Sequence, residues 1–105
     1  MGFPSPAADY VEDTLTITKL CQVDGNSRFI KTDSGYAILD MSLHPQQGDI
    51  VLIRYDGMTD FGRLQGRSFI TRDGEAIEGE ALDDVTVAGV VTFTICDVRQ
   101  DNAVV

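Results

Sequence analysis

A chain of 105 residues has the length of one domain, enough to bury a core and too little for two. Its 43% apolar content is that of a folded protein, and no apolar run approaches the roughly 20 residues a bilayer-spanning helix needs. Seventeen acidic and eight basic side chains give a net charge of −9, and Asp73 to Asp97 hold seven carboxylates without one Lys or Arg. Such a surface repels phosphate, so direct nucleic-acid binding is excluded as an expectation, whereas a basic protein partner is not.

The first stretch, GFPSPAADYVED, fits no regular element. Pro4 and Pro6 fix φ, withhold amide donors and push their predecessors towards extended backbone. Residues 1–13 therefore read as an extended N-terminal arm, either a frayed terminus or a segment that lies along a surface or crosses to a partner. Residues 14–105 read as a single β-dominated domain. The start has neither a charged nor an apolar leader region, which points to the cytoplasm.

In TLTITKLCQV the apolar Ile17, Leu20 and Cys21 fall at helical spacing, with Thr16 as a candidate cap, although Leu15 and Ile17 also alternate as in a strand. SRFIKT and YAILDM are candidate strands. Three Asp-Gly pairs follow the pattern of tight turns, at 24–25, 56–57 and 73–74. DIVLIRY and MTDFGRL flank the second and GRSFITR and EAIEGEA the third, so both predict hairpins. VTVAGVVTFTI is a long β-branched strand with Gly89 at a bulge or close approach.

Nothing in the composition demands a cofactor or a metal. Cys21 and Cys96 match no metal-ligand spacing and read as reduced thiols of a cytosolic protein, and His44 is a lone loop histidine.

GFPSPAADYVED closely resembles the segment that follows the self-cleavage site of UmuD, the LexA-related accessory protein of SOS mutagenesis. QGDIVLIRYDG (47–57) is similar to the family's GDIV strand and the hairpin after it, and ALDDVTVAGVVTFTI (81–95) to its closing strand. The resemblance implies a mainly β, compact fold of the LexA C-terminal-domain type (β-clip), built of antiparallel hairpins. It also places Met1 before the position of the family's scissile bond and Gly2 at the start of the processed form, UmuD′.

Members of the family are serine-lysine self-proteases, and this chain departs from the pattern at both catalytic positions. The Gly-Asp-Ser-Met segment has shrunk to IKTDSGYAILD (30–40), leaving Asp33-Ser34 as a possible remnant of the serine. The family's Val-Lys-Lys/Arg-Leu run corresponds to DFGRL, with Gly62 in the lysine's place and then Arg63, which keeps its proton and cannot act as base. Lys19 and Lys31 match no catalytic position, although Lys31 is close enough in sequence to Ser34 for a rearranged pair to be considered.

The resemblance thus implies a non-catalytic UmuD′-like homodimer that binds a UmuC-like Y-family polymerase during error-prone translesion synthesis. The alternative is a regulatory decoy that heterodimerises with a UmuD or LexA-type self-cleaving protein. Phe3, Pro4, Pro6 and Tyr10 in the arm, and Val87, Val90 and Phe93 in the late strand, are the expected interaction residues; no membrane or direct nucleic-acid contact is expected.

Overall fold

The computed structural model describes residues 16–99; the arm, and with it Phe3, Pro4, Pro6 and Tyr10, lies outside the described residues. The chain opens on α1 (Ile17–Leu20), a single helical turn. Thr16 caps it: its hydroxyl oxygen accepts from the Lys19 amide at 3.2 Å and its carbonyl from the Leu20 amide at 2.9 Å. Helical spacing therefore prevails here over strand alternation.

Seven strands follow: β1 (Ser27–Thr32), β2 (Gly35–Asp40), β3 (Ile50–Tyr55), β4 (Met58–Gln65), β5 (Ser68–Thr71), β6 (Ala76–Ile77) and β7 (Thr86–Cys96). A 3-10 helix, Gly79–Asp84, precedes β7. All pairings are antiparallel, in one sheet of order β1-β2-β7-β3-β4-β5-β6. The mainly β, hairpin-built expectation holds.

The turns explain the registers. Tyr55 pairs with Met58 across Asp56 and Gly57, whose φ values of 50° and 72° are both left-handed, as a two-residue turn that follows strand twist requires. The third Asp-Gly pair closes a longer loop: the Gly74 amide donates to the Thr71 carbonyl and the Thr71 amide to the Glu75 carbonyl, each at 2.9 Å. Asp24-Gly25 joins no two strands. Its Asp24 carboxylate accepts from the Asn26 amide at 2.8 Å, and the turn delivers the chain from α1 into β1.

The core lies on one face of the sheet. Val51, Ile53, Val90 and Ile77 are buried there, covered by Phe69, Tyr55 and the 3-10 helix residue Leu82 with Val85. Leu52 points the other way and is also buried, which is why DIVLIRY reads as a nearly continuous apolar run. Each fully buried aliphatic side chain contributes about 1.5–3 kcal/mol.

Strand β7 joins two halves. Its later residues pair with β2, from Val90 opposite Asp40 to Cys96 opposite Gly35. Its earlier residues pair with β3, from Thr86 opposite Arg54 to Val90 opposite Val51. Val90 alone takes part in both ladders. The register shifts at Ala88 on the β3 side and at Thr92 on the β2 side, so the strand bulges on either side of this point. Gly89 makes the expected close approach: a Cβ there would lie 3.2 Å from Leu39 Cβ and 3.3 Å from the Asp40 carbonyl oxygen. Among the described residues no helix is long and apolar enough to cross a membrane.

Candidate functional site

The sheet bends between its two halves and leaves a cleft of about 260 Å³. Ser34, Tyr36 and Cys96 line it from one half, Ile50, Phe61 and Arg72 from the other. A second hollow of about 210 Å³ adjoins it, sharing Ile50, Phe61 and Arg72 and reaching Gly62 and Arg63. The two halves also meet around Thr32, Asp33, Thr59 and Asp60, so β1 faces β4 although three strands separate them in the sheet.

Ser34 occupies the two-residue connection between β1 and β2. Its carbonyl accepts from the Asp97 amide at 2.6 Å, which pins this turn to the end of β7. Its hydroxyl donates to Cys96 Sγ at 3.9 Å. A thiol sulfur is a poor acceptor and does not activate a serine. Next to it, Gly35 is required by packing: a Cβ there would run into the Ile95 carbonyl oxygen.

Gly62 pairs with Val51 on the core face of β4. A side chain built at this position would meet Ile53 Cδ1 at 3.2 Å and Phe69 Cβ at 3.4 Å, so it would enter the core rather than turn towards Ser34. Neighbouring Phe61 and Arg63 point to the opposite face and also line the clefts. Lys31 places its ammonium over the Tyr36 ring, 5.8 Å from the centroid. Nothing in the geometry joins Ser34, position 62 and Lys31 into one constellation.

The strongest polar feature at the cleft is Arg72. Its Nε donates to Asp60 Oδ1 at 3.1 Å, and its guanidinium lies over the Phe61 ring at 5.9 Å. This pair escaped the sequence reading because its members lie twelve residues apart, Asp60 on β4 and Arg72 in the turn after β5; the pairing of β4 with β5 brings them together.

Elsewhere, Asp40 accepts from the Ser42 hydroxyl at 2.6 Å and the Ser42 amide at 2.8 Å, which hold its carboxyl below the usual carboxylate range. Desolvation raises the Tyr55 phenol, and the carboxylates of Asp60, Glu75, Asp73 and Asp56 raise it further. Cys21 is buried and Cys96 exposed, and neither is in a disulfide. His44 is exposed. No group of His, Cys, Asp and Glu that could hold a metal occurs among the described residues. Of the late-strand residues expected at an interface, Val87 and Phe93 are 37% and 38% exposed, whereas Val90 is 3% exposed and serves the core.

Comparison with known proteins places this arrangement. The chain is 37% identical to protein SamA of Salmonella typhimurium over 61% of its own length. It is 30% identical to protein ImpA of Salmonella typhimurium and of Escherichia coli over 94% of its length. It spans about half of SamA (54%) and 79% of ImpA. No family model matches the chain, and no solved structure matches it. What fold and cleft define is a small antiparallel β domain with an open groove between two halves. The extent of the ImpA match identifies it further: the chain belongs to the UmuD family.

Proposed function

We propose that this chain is a non-catalytic, UmuD′-like accessory subunit that binds a UmuC-like Y-family polymerase and supports error-prone translesion synthesis in the SOS response. The observation that carries the non-catalytic part is the environment of Gly62. A Cβ in that place would already crowd Ile53 Cδ1 and Phe69 Cβ, and the Ser34 hydroxyl donates to a thiol rather than to a base. Family membership supports the accessory role, and the charge of −9 suits a subunit that reaches DNA through its partners.

The chain acts as a homodimer in this reading, with the part-exposed Val87 and Phe93, and the arm residues Phe3, Pro4, Pro6 and Tyr10, as contacts. Two experiments test the proposal. Immobilised full chain should retain a co-expressed UmuC-like polymerase; retention of a LexA-type or UmuD protein in its place would make the chain a regulatory decoy. Prolonged incubation at alkaline pH should leave the chain intact by mass spectrometry. A fragment that Ser34→Ala abolishes would restore the protease assignment.

A further inference from the structure

All three Asp-Gly pairs are exposed, and a glycine after an aspartate leaves its amide nitrogen open to attack on the aspartate's own carboxyl carbon. The fold restrains the three unequally. At Asp73-Gly74 the Gly74 amide is held, donating to the Thr71 carbonyl at 2.9 Å. Asp56-Gly57 is the whole of a two-residue turn between paired Tyr55 and Met58, and closing a ring there would twist the hairpin open. At Asp24-Gly25 neither restraint applies. The Gly25 amide donates to no group among the described residues, and a Cβ built on Gly25 would meet nothing within 4 Å. The Asn26 amide, 2.8 Å from Asp24 Oδ1, draws the carboxylate forward across this open peptide.

We propose that Asp24-Gly25 is a site of spontaneous isomerisation, and that the isoaspartate formed there loosens the junction between α1 and the sheet. The Gly25 nitrogen attacks the Asp24 side-chain carboxyl carbon, and the new C–N bond closes a five-membered imide. The carboxyl's hydroxyl and the amide proton leave together as water. Water then adds at one of the two imide carbonyls. Breaking the original peptide C–N bond leaves Gly25 joined through the side-chain carbon, as isoaspartate; breaking the new bond restores aspartate. No oxidant or enzyme takes part, and neither step depends on which partner the chain binds.

Isoaspartate routes the main chain through the Asp24 Cβ and so lengthens it by one carbon in a turn that is tied on several sides. The Ser27 amide donates to the Asp24 carbonyl at 3.1 Å and the Met41 amide to the Asn26 carbonyl at 2.9 Å. The Arg28 guanidinium donates to the Gly25 carbonyl at 3.2 Å. These bonds set the path by which α1 and the buried Cys21 lead into β1. Cys21 therefore reports on the junction, and the exposed Cys96 serves as an internal reference.

The test holds the full chain for weeks in neutral buffer at body temperature, folded or in urea. Peptide mapping by electron-transfer dissociation, and labelling by an isoaspartyl carboxyl methyltransferase, locate the product. In the folded chain isoaspartate should accumulate at position 24 about tenfold over positions 56 and 73, and in urea the three should converge. Alkylation of Cys21 should quicken about tenfold as position 24 isomerises, while that of Cys96 stays constant. Gly25→Ala, whose methyl group has open space, should suppress both changes at an unaltered melting temperature. If it melts lower, Asp24→Ser, which removes the carboxyl carbon and keeps an oxygen acceptor, should suppress them in its place. Equal accumulation at the three pairs of the folded chain, or none at position 24, overturns the site. Isoaspartate at position 24 without faster Cys21 alkylation, or alkylation that quickens equally in the variant, overturns the loosening.

Discussion

At the scale of single residues, small size decides position 35. Gly35 is fixed by the Ile95 carbonyl pressed against it, so Gly35→Ala must separate β2 from β7. Such overpacking costs about 1–3 kcal/mol, and urea unfolding should record a lowered midpoint of at least that equivalent. Tyr55 provides a pH signature. Its phenol is raised in the fold, so the proton is held more tightly there than in the unfolded chain. The associated stability is fully present below the ordinary value of 10.0 and is lost as pH rises through the folded value. Melting temperatures should therefore decline in that alkaline range, and Tyr55→Phe should flatten the decline. Asp40 acts in the opposite direction. Its lowered carboxyl stabilises the fold above the ordinary 3.8, and that contribution disappears as pH falls through the folded value.

At the scale of elements, turn chemistry and β-branched runs were legible because they are local. Asp56-Gly57 announces a hairpin through two left-handed residues, and VTVAGVVTFTI announces a strand through its side chains. The placement of β7 was not legible. Its sequence reads as a strand that carries interaction residues, whereas the structure inserts it between β2 and β3. No local signal distinguishes those positions, because pairing partners are chosen by residues far away in sequence. For the same reason Val90 read as an interface residue when it is core: Val87 and Val90 look alike in sequence, and only the long-range pairing sets Val90 between two neighbouring strands, where it is 3% exposed against 37% for Val87. Val90→Ala should cost about 2–4 kcal/mol in chemical denaturation, more than Val87→Ala at its half-exposed site. The candidate site divided likewise. Family motifs picked out Ser34 and position 62, but only the register shows that a side chain at 62 would turn inward.

At the scale of the whole molecule, charge and apolar exposure act against each other. A net charge of −9 keeps copies apart at low ionic strength, while exposed Phe29, Tyr36, Val87 and Phe93 favour their association. Light scattering at tens of micromolar should give a dimeric mass, with the dimer strengthened by added salt. A monomeric mass at every salt concentration would remove the dimer from the proposed function.

The double pairing of Val90 also bears on how the protein comes into being. Neither the β1–β2 hairpin nor the β3–β6 meander can complete its sheet until β7, the final described strand, arrives between them. On a ribosome, both earlier units would wait as unpaired hairpins through most of synthesis, and the long-range ladders would close late and slowly. The newborn chain would be most exposed to proteolysis and to misplaced partners just before β7 emerges.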